Sequence, residues 1–203
     1  MSIMLPEKND FEITPAGTHI ATCYRVIDLG TQLVSDFKGG TKKQHKITIS
    51  WEIANEAMKD GRPFSIHKQY TLSSSEKANL RIDLQSWRGV PFSDADFGKF
   101  DIGVLIGKSC MLGVVHESKN GDTFANISSI MKLPKGTVAP ALINPTVYFS
   151  LNTFDQAIYD SLGDKIKAKI AMSPEYQIIK GADRVDPNMA DENHDMPSDE
   201  CPF

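Results

Sequence analysis

Two kinds of side chain recur along this chain in a pattern that allows joint chemistry: cations spaced along extended segments, and aromatic rings beside them. Phe37 and Lys38 precede Gly39-Gly40 in a loop, Lys42 and Lys46 alternate along the segment that follows, Arg62 and Lys68 flank a third apolar run, and Lys119 adjoins Asn120-Gly121. Tyr70 and Phe124 offer further rings. Lysine and arginine at such intervals neutralise the phosphates of a flexible polyanion, and flat rings give unpaired bases a stacking face worth roughly 1–3 kcal/mol per base. These residues are the candidate contacts to a single strand of nucleic acid. Each has a plainer reading: Lys42, Lys43 and Lys46 as the solvated side of a strand, Tyr70 and Phe124 as filling of a small barrel. Phe37, on a glycine-rich basic loop with little core to enter, favours the contact role.

The far end of the chain has the opposite character. Residues 186–203 contain Asp186, Asp191, Glu192, Asp195, Asp199 and Glu200, no Lys or Arg, and run to Pro202-Phe203. Such a segment buries too little to offset its ordering entropy and is expected to be disordered. Asp199, Glu200, Pro202 and Phe203 together suit capture by an apolar pocket with a basic rim; the alternative is a tail that only aids solubility. Residues 181–203 hold seven acids and one Arg, a net of −6, which leaves +2 of the overall −4 on residues 1–180. A mildly basic body and an acidic tail suit a body that meets a polyanion and a tail that competes for the same groove.

Catalytic patterns fail on spacing. Gly103 to Gly107-Lys108-Ser109 has three residues between its glycines where a phosphate loop needs four, and it leads into a strand rather than a helix. The histidines (His19, His45, His67, His116, His194) and cysteines (Cys23, Cys110, Cys201) form no metal-ligand pair: His19 and Cys23 share a strand face at about 13 Å. Asp94, Asp96 and Asp101 lack the glycine and closing glutamate of a calcium loop and read as caps of a short turn. The chain therefore reads as a binder and not an enzyme, with no catalytic residue, metal or cofactor expected. Three widely spaced cysteines and a charged N-terminus point to a reducing cytoplasm, and no run approaches the roughly 18 apolar residues of a membrane span.

The elements that would position these residues follow from periodicity. After an arm (1–16), Thr18 to Leu29 and Lys42 to Ile53 read as strands, the second alternating His45, Ile47, Ile49, Trp51, Ile53 on a core face with Lys42, Gln44, Lys46, Thr48, Ser50 on a wet one. Phe64 to Leu72 is a third strand. Ser73 and Glu76 form a capping-box pattern before a helix carrying Leu80, Leu84 and Trp87, closed by Gly89 and Pro91. Ser109 to His116 and Thr123 to Ile130 make a hairpin across Asn120-Gly121. This β-β-β-α-β-β order over 17–132 predicts a mainly β fold, the five-stranded oligonucleotide/oligosaccharide-binding (OB-fold) barrel, whose second and third strands form the usual ligand surface. A connector (133–152) leads to a helical segment (153–180), capped by Thr153 and Gln156. Its stripe Phe154, Ile158, Leu162, Ile166, Ile170, divided at Gly163, must cover either its own barrel or a second subunit, so a homo-oligomer stays open. The acidic tail (181–203) follows.

The close Asp199-Glu200-Cys201-Pro202-Phe203 resembles the acidic tails of bacterial and bacteriophage single-stranded DNA-binding proteins, with Cys201 where an aliphatic residue is usual. That resemblance implies a phage or prophage protein of the bacterial host cytoplasm. It would coat single-stranded DNA without strong sequence preference and recruit replication or recombination proteins through its tail. The first rival expectation is a viral protein-interaction or assembly module that binds no nucleic acid, and the second is a small nucleic-acid enzyme using Asp94, Asp96 or Asp101 with magnesium.

Overall fold

The computed structural model describes residues 12–36 and 39–182. Three long strands open the fold: β1 (Gly17–Ser35), β2 (Thr41–Ala57) and β3 (Pro63–Thr71). Helix α1 (Asn79–Arg88), the short α2 (Asp94–Gly98) and a 3-10 turn (Ile102–Leu105) lead to β4 (Ser109–Lys119) and β5 (Asp122–Met131). Asn120 and Gly121, with φ of 55° and 87°, supply the left-handed pair that a two-residue hairpin turn requires.

The strands pair antiparallel in the order β3-β2-β1-β4-β5, and a sixth strand, β6 (Val147–Phe149), runs parallel to β1 at Arg25–Ile27. The fold is thus mainly β with a few helices and carries one strand more than the sequence pattern predicts. Strands β3 and β5 approach each other but are not paired, so hydrogen bonding follows an open path instead of closing a cylinder.

Two bulges in β1, between Cys23 and Arg25 and between Asp28 and Gly30, reset the alternation of its side chains. Ala21, Cys23 and Val26 therefore join the inner core with Ile49, Trp51, Leu84 and Trp87, whereas Ile27 and Leu29 turn outward. There they meet Phe149, Leu151, Tyr159, Leu162 and Ile170 in a second core. The C-terminal stripe covers its own sheet.

Three expectations need correction. The capping boxes do not cap: α1 begins at Asn79 after Ala78, and Asp155, not Thr153, accepts from Ile158 N–H. Ser73 closes a local turn with the N–H of Ser75 instead. The C-terminal segment is three short helices, α3 (Gln156–Ser161), α4 (Asp164–Ala171) and α5 (Pro174–Ala182), with Gly163 between the first two. And the wet face of β2 is not wet throughout. Thr48, Ser50 and Glu52 are buried, because the C-terminal third of the chain lies over them. Glu52 accepts hydrogen bonds from the backbone N–H of Ile143 and Asn144 and from Asn144 Nδ2, at 2.7–2.9 Å, which pins the connector across the sheet.

Candidate nucleic-acid interface

The outer face of β1–β3 is a polar row before any helix covers it. Arg25 lies opposite Ser50, and Ser50 opposite His67; one step along, Thr48 lies opposite Gln69, and then Lys46 opposite Thr71. Helix α4 packs beside this row and leaves a trough between itself and the sheet, lined by Arg25, His67, Gln69, Lys165 and Lys169 with a volume of about 620 Å³. A second depression of about 380 Å³ adjoins it, lined by Lys46, Thr71 and Lys77, and Gln69 borders both. The combined wall presents five cations, Arg25, Lys46, Lys77, Lys165 and Lys169, against one carboxylate, Asp164, which is itself paired with Lys167 at 3.1 Å.

Several groups in this row have spare capacity. Arg25 Nε and Ser50 Oγ are buried without a hydrogen-bond partner among the described residues. Packing in the trough, and then the charges of Arg25 and Lys169, hold His67 below its ordinary pKa. It is therefore neutral at pH 7 and gains a proton readily only if an anion arrives. Desolvation and neighbouring Lys42 likewise lower Lys46, whose ammonium donates to Thr71 Oγ1 at 2.7 Å.

What holds α4 and α5 at this distance is a polar clamp. His45 Nε2 is 2.6 Å from Asp28 Oδ1, and its Nδ1 is 3.7 Å from Glu175 Oε1. Thr31 donates its N–H and its hydroxyl to the same Glu175, at 3.0 and 2.6 Å, and Gln32 donates to the carbonyl of Lys169. The Asp28 hydrogen bond, opposed by burial and reinforced by the charges of Asp28 and Glu175, raises the His45 pKa. Burial works against both carboxylates, but His45 and backbone N–H donors at Asp28, and Thr31 at Glu175, bring each below the ordinary range.

The sequence-predicted contacts divide among four places. Lys46 lies in the trough, with exposed Lys42 further along the same strand. Arg62 sits at the other end of the β2–β3 ladder, roughly 30 Å from Lys46 by strand rise, and is held by Asp60 at 2.7 Å. Lys68 and Tyr70 face inward. The ring of Tyr70 is 2% exposed and its hydroxyl donates to Asp83 Oδ2 at 2.8 Å, while Lys68 Nζ meets the same oxygen at 2.7 Å. This corrects the expectation that Tyr70 presents a stacking face. Lys119 and Phe124 occupy the β4–β5 hairpin, where Phe124 is 49% exposed but lies opposite Glu117. Phe37 and Lys38 lie outside the described residues, as do Asp199, Glu200, Pro202 and Phe203.

Arg25, His67, Lys77, Lys165 and Lys169 escape the sequence reading. Two signals for them exist: Arg25 is a long cation inside a largely apolar strand, and Lys165 and Lys169 stand four apart and so share a helix face. Asp94, Asp96 and Asp101 act locally, pairing with Arg81 at 2.7 Å, bonding Ser93, and accepting from Gly103 N–H. Among the described residues, no three His, Cys, Asp or Glu side chains come together as metal ligands, and no helix is long and apolar enough to cross a membrane. In comparison with known proteins, no family model matches the chain, and no curated protein does.

Proposed function

We propose that this protein binds single-stranded DNA without strong sequence preference, along the trough over the outer face of β1–β3, on an OB-like scaffold. The observation that carries this reading is the pair of depressions, with Gln69 in the lining of both, whose walls together hold five cations and one carboxylate. A strand of nucleotides has its charge on a regular backbone, so cations that track a groove hold it whatever the bases are. The trough offers hydrogen-bonding side chains, Thr48, His67 and Gln69, and little open aromatic surface, so phosphate contacts supply most of the affinity. The tail resemblance supplies the setting: phage or prophage replication or recombination, with Asp199, Glu200, Pro202 and Phe203 recruiting partner proteins.

A fluorescence titration with oligo-dT across salt tests this. Five phosphate contacts give a log–log salt slope of about −3.5 for a single strand, and Lys165→Glu with Lys169→Glu removes about 1.4 of it. Arg62→Glu, on a cation already held by Asp60, serves as the control and leaves the slope unchanged. No measurable binding to oligo-dT at low salt, or a slope insensitive to the α4 lysines, overturns the reading.

A further inference from the structure

A second concave site lies on the other side of the sheet, where α1 meets the 3-10 turn and the ends of β4 and β5. Its floor is apolar, built by Trp87, Phe92 and Leu105, and its rim carries Arg88, Lys108 and Lys132 around a volume of about 460 Å³. Among the described residues no carboxylate lines it, and it shares no lining residue with the trough. The rim is built, not incidental. Arg88 closes α1 with its guanidinium 4.8 Å from the centre of the Phe92 ring, and the Lys132 stem packs so tightly over Gly89 that a Cβ there would lie 2.8 Å from its Cδ. Three exposed cations around an apolar hollow repel one another and lower their energy when an anion with an apolar body enters.

The chain itself contains a segment of that chemistry. We propose that residues 195–203 of the same molecule dock here, the Phe203 ring on the apolar floor and Asp199 and Glu200 against the cationic rim. Six carboxylates without a base in residues 186–203 match three cations without an acid. Reach is not limiting: the 21 residues from 183 to 203 span about 70 Å when extended, against a diameter of about 40 Å for a domain of this size. Docking at this pocket leaves the trough open, so the tail and a polyanion occupy the molecule together. The proposal is independent of what the trough binds.

Cys201 provides the probe, because the other two cysteines, Cys23 and Cys110, are buried, and burial pushes the Cys23 thiol up to about 12. A nitroxide on Cys201 of the full chain is expected to broaden the amide resonances of residues 87–89, 104–108 and 131–133, independently of protein concentration. Lys108→Glu with Lys132→Glu removes the effect. Since the label adjoins the docking residue, a second measurement uses no label: Phe203→Ala shifts the Trp87 indole resonance. Broadening confined to Lys46, Gln69 and Lys169, broadening only between different molecules, or an unmoved Trp87 resonance would each overturn the proposal.

Discussion

At the scale of single residues, His45 sets a pH dependence whose sign follows from its partners. Its folded pKa is raised above the ordinary value of about 6.5, so its contribution to stability is complete below that pH and is lost as pH rises through the folded value. Asp28 and Glu175 are lowered, so theirs is present above about 4.3 and lost as pH falls through their folded values. The clamp is strongest between about pH 4.5 and 6.5. Urea unfolding of the natural chain is expected to show a lower midpoint at pH 8 than at pH 6, and His45→Gln to flatten that difference. An equal drop in the variant would show that another group carries it.

At the scale of elements, the clamp works only because α5 can approach β1, and Gly30 makes that possible. It has φ +68°, and a Cβ built on it lies 2.5 Å from Ser173 Cβ and 2.8 Å from Leu151 Cδ1. Gly30→Ala combines an unfavourable left-handed backbone with an overpacked contact, a cost of about 3 kcal/mol. Hydrogen exchange should locate the loss in α4 and α5 while β4 and β5 keep their protection. The same contrast explains which elements were legible in the sequence. The strands and α1 announce themselves because their partners are near and their periodicity is regular, and Asn120-Gly121 fixes a hairpin locally. Glu52 reads as a strand charge until the connector, 91 residues away, turns its N–H groups onto it. Tyr70 and Lys68 look available until Asp83 of α1 takes both. A bulge hides a change of face: Ile27 belongs to a second core only because the residue inserted between Cys23 and Arg25 flips the parity of β1, and Leu29, itself inserted at the second bulge, joins it there. The trough escapes for the same reason, since Arg25, His67 and Lys169 meet only after β1, β3 and α4 are assembled.

At the scale of the whole molecule, charge is segregated by position in the chain. Residues 183–203 contain seven acids and Arg184, so a chain ending at Ala182 changes from a net of −4 to +2. Like charges no longer oppose an approaching polyanion. Oligo-dT affinity of the shortened chain is expected to exceed that of the full chain at about 0.05 M salt, and the two to converge near 1 M, where the Debye length is about 3 Å. Curves that differ by the same factor at every salt concentration would show that the tail acts by contact in the trough rather than through its field.

Strand β1 also governs the order in which the molecule can be made. It bonds β2 on one edge, β4 and then β6 on the other, and its outward residues wait for Leu162 and Ile170. A nascent chain emerging from the ribosome therefore carries Ile27 and Leu29 uncovered until α3 and α4 have been made, and the assembly of this second core belongs to those helices.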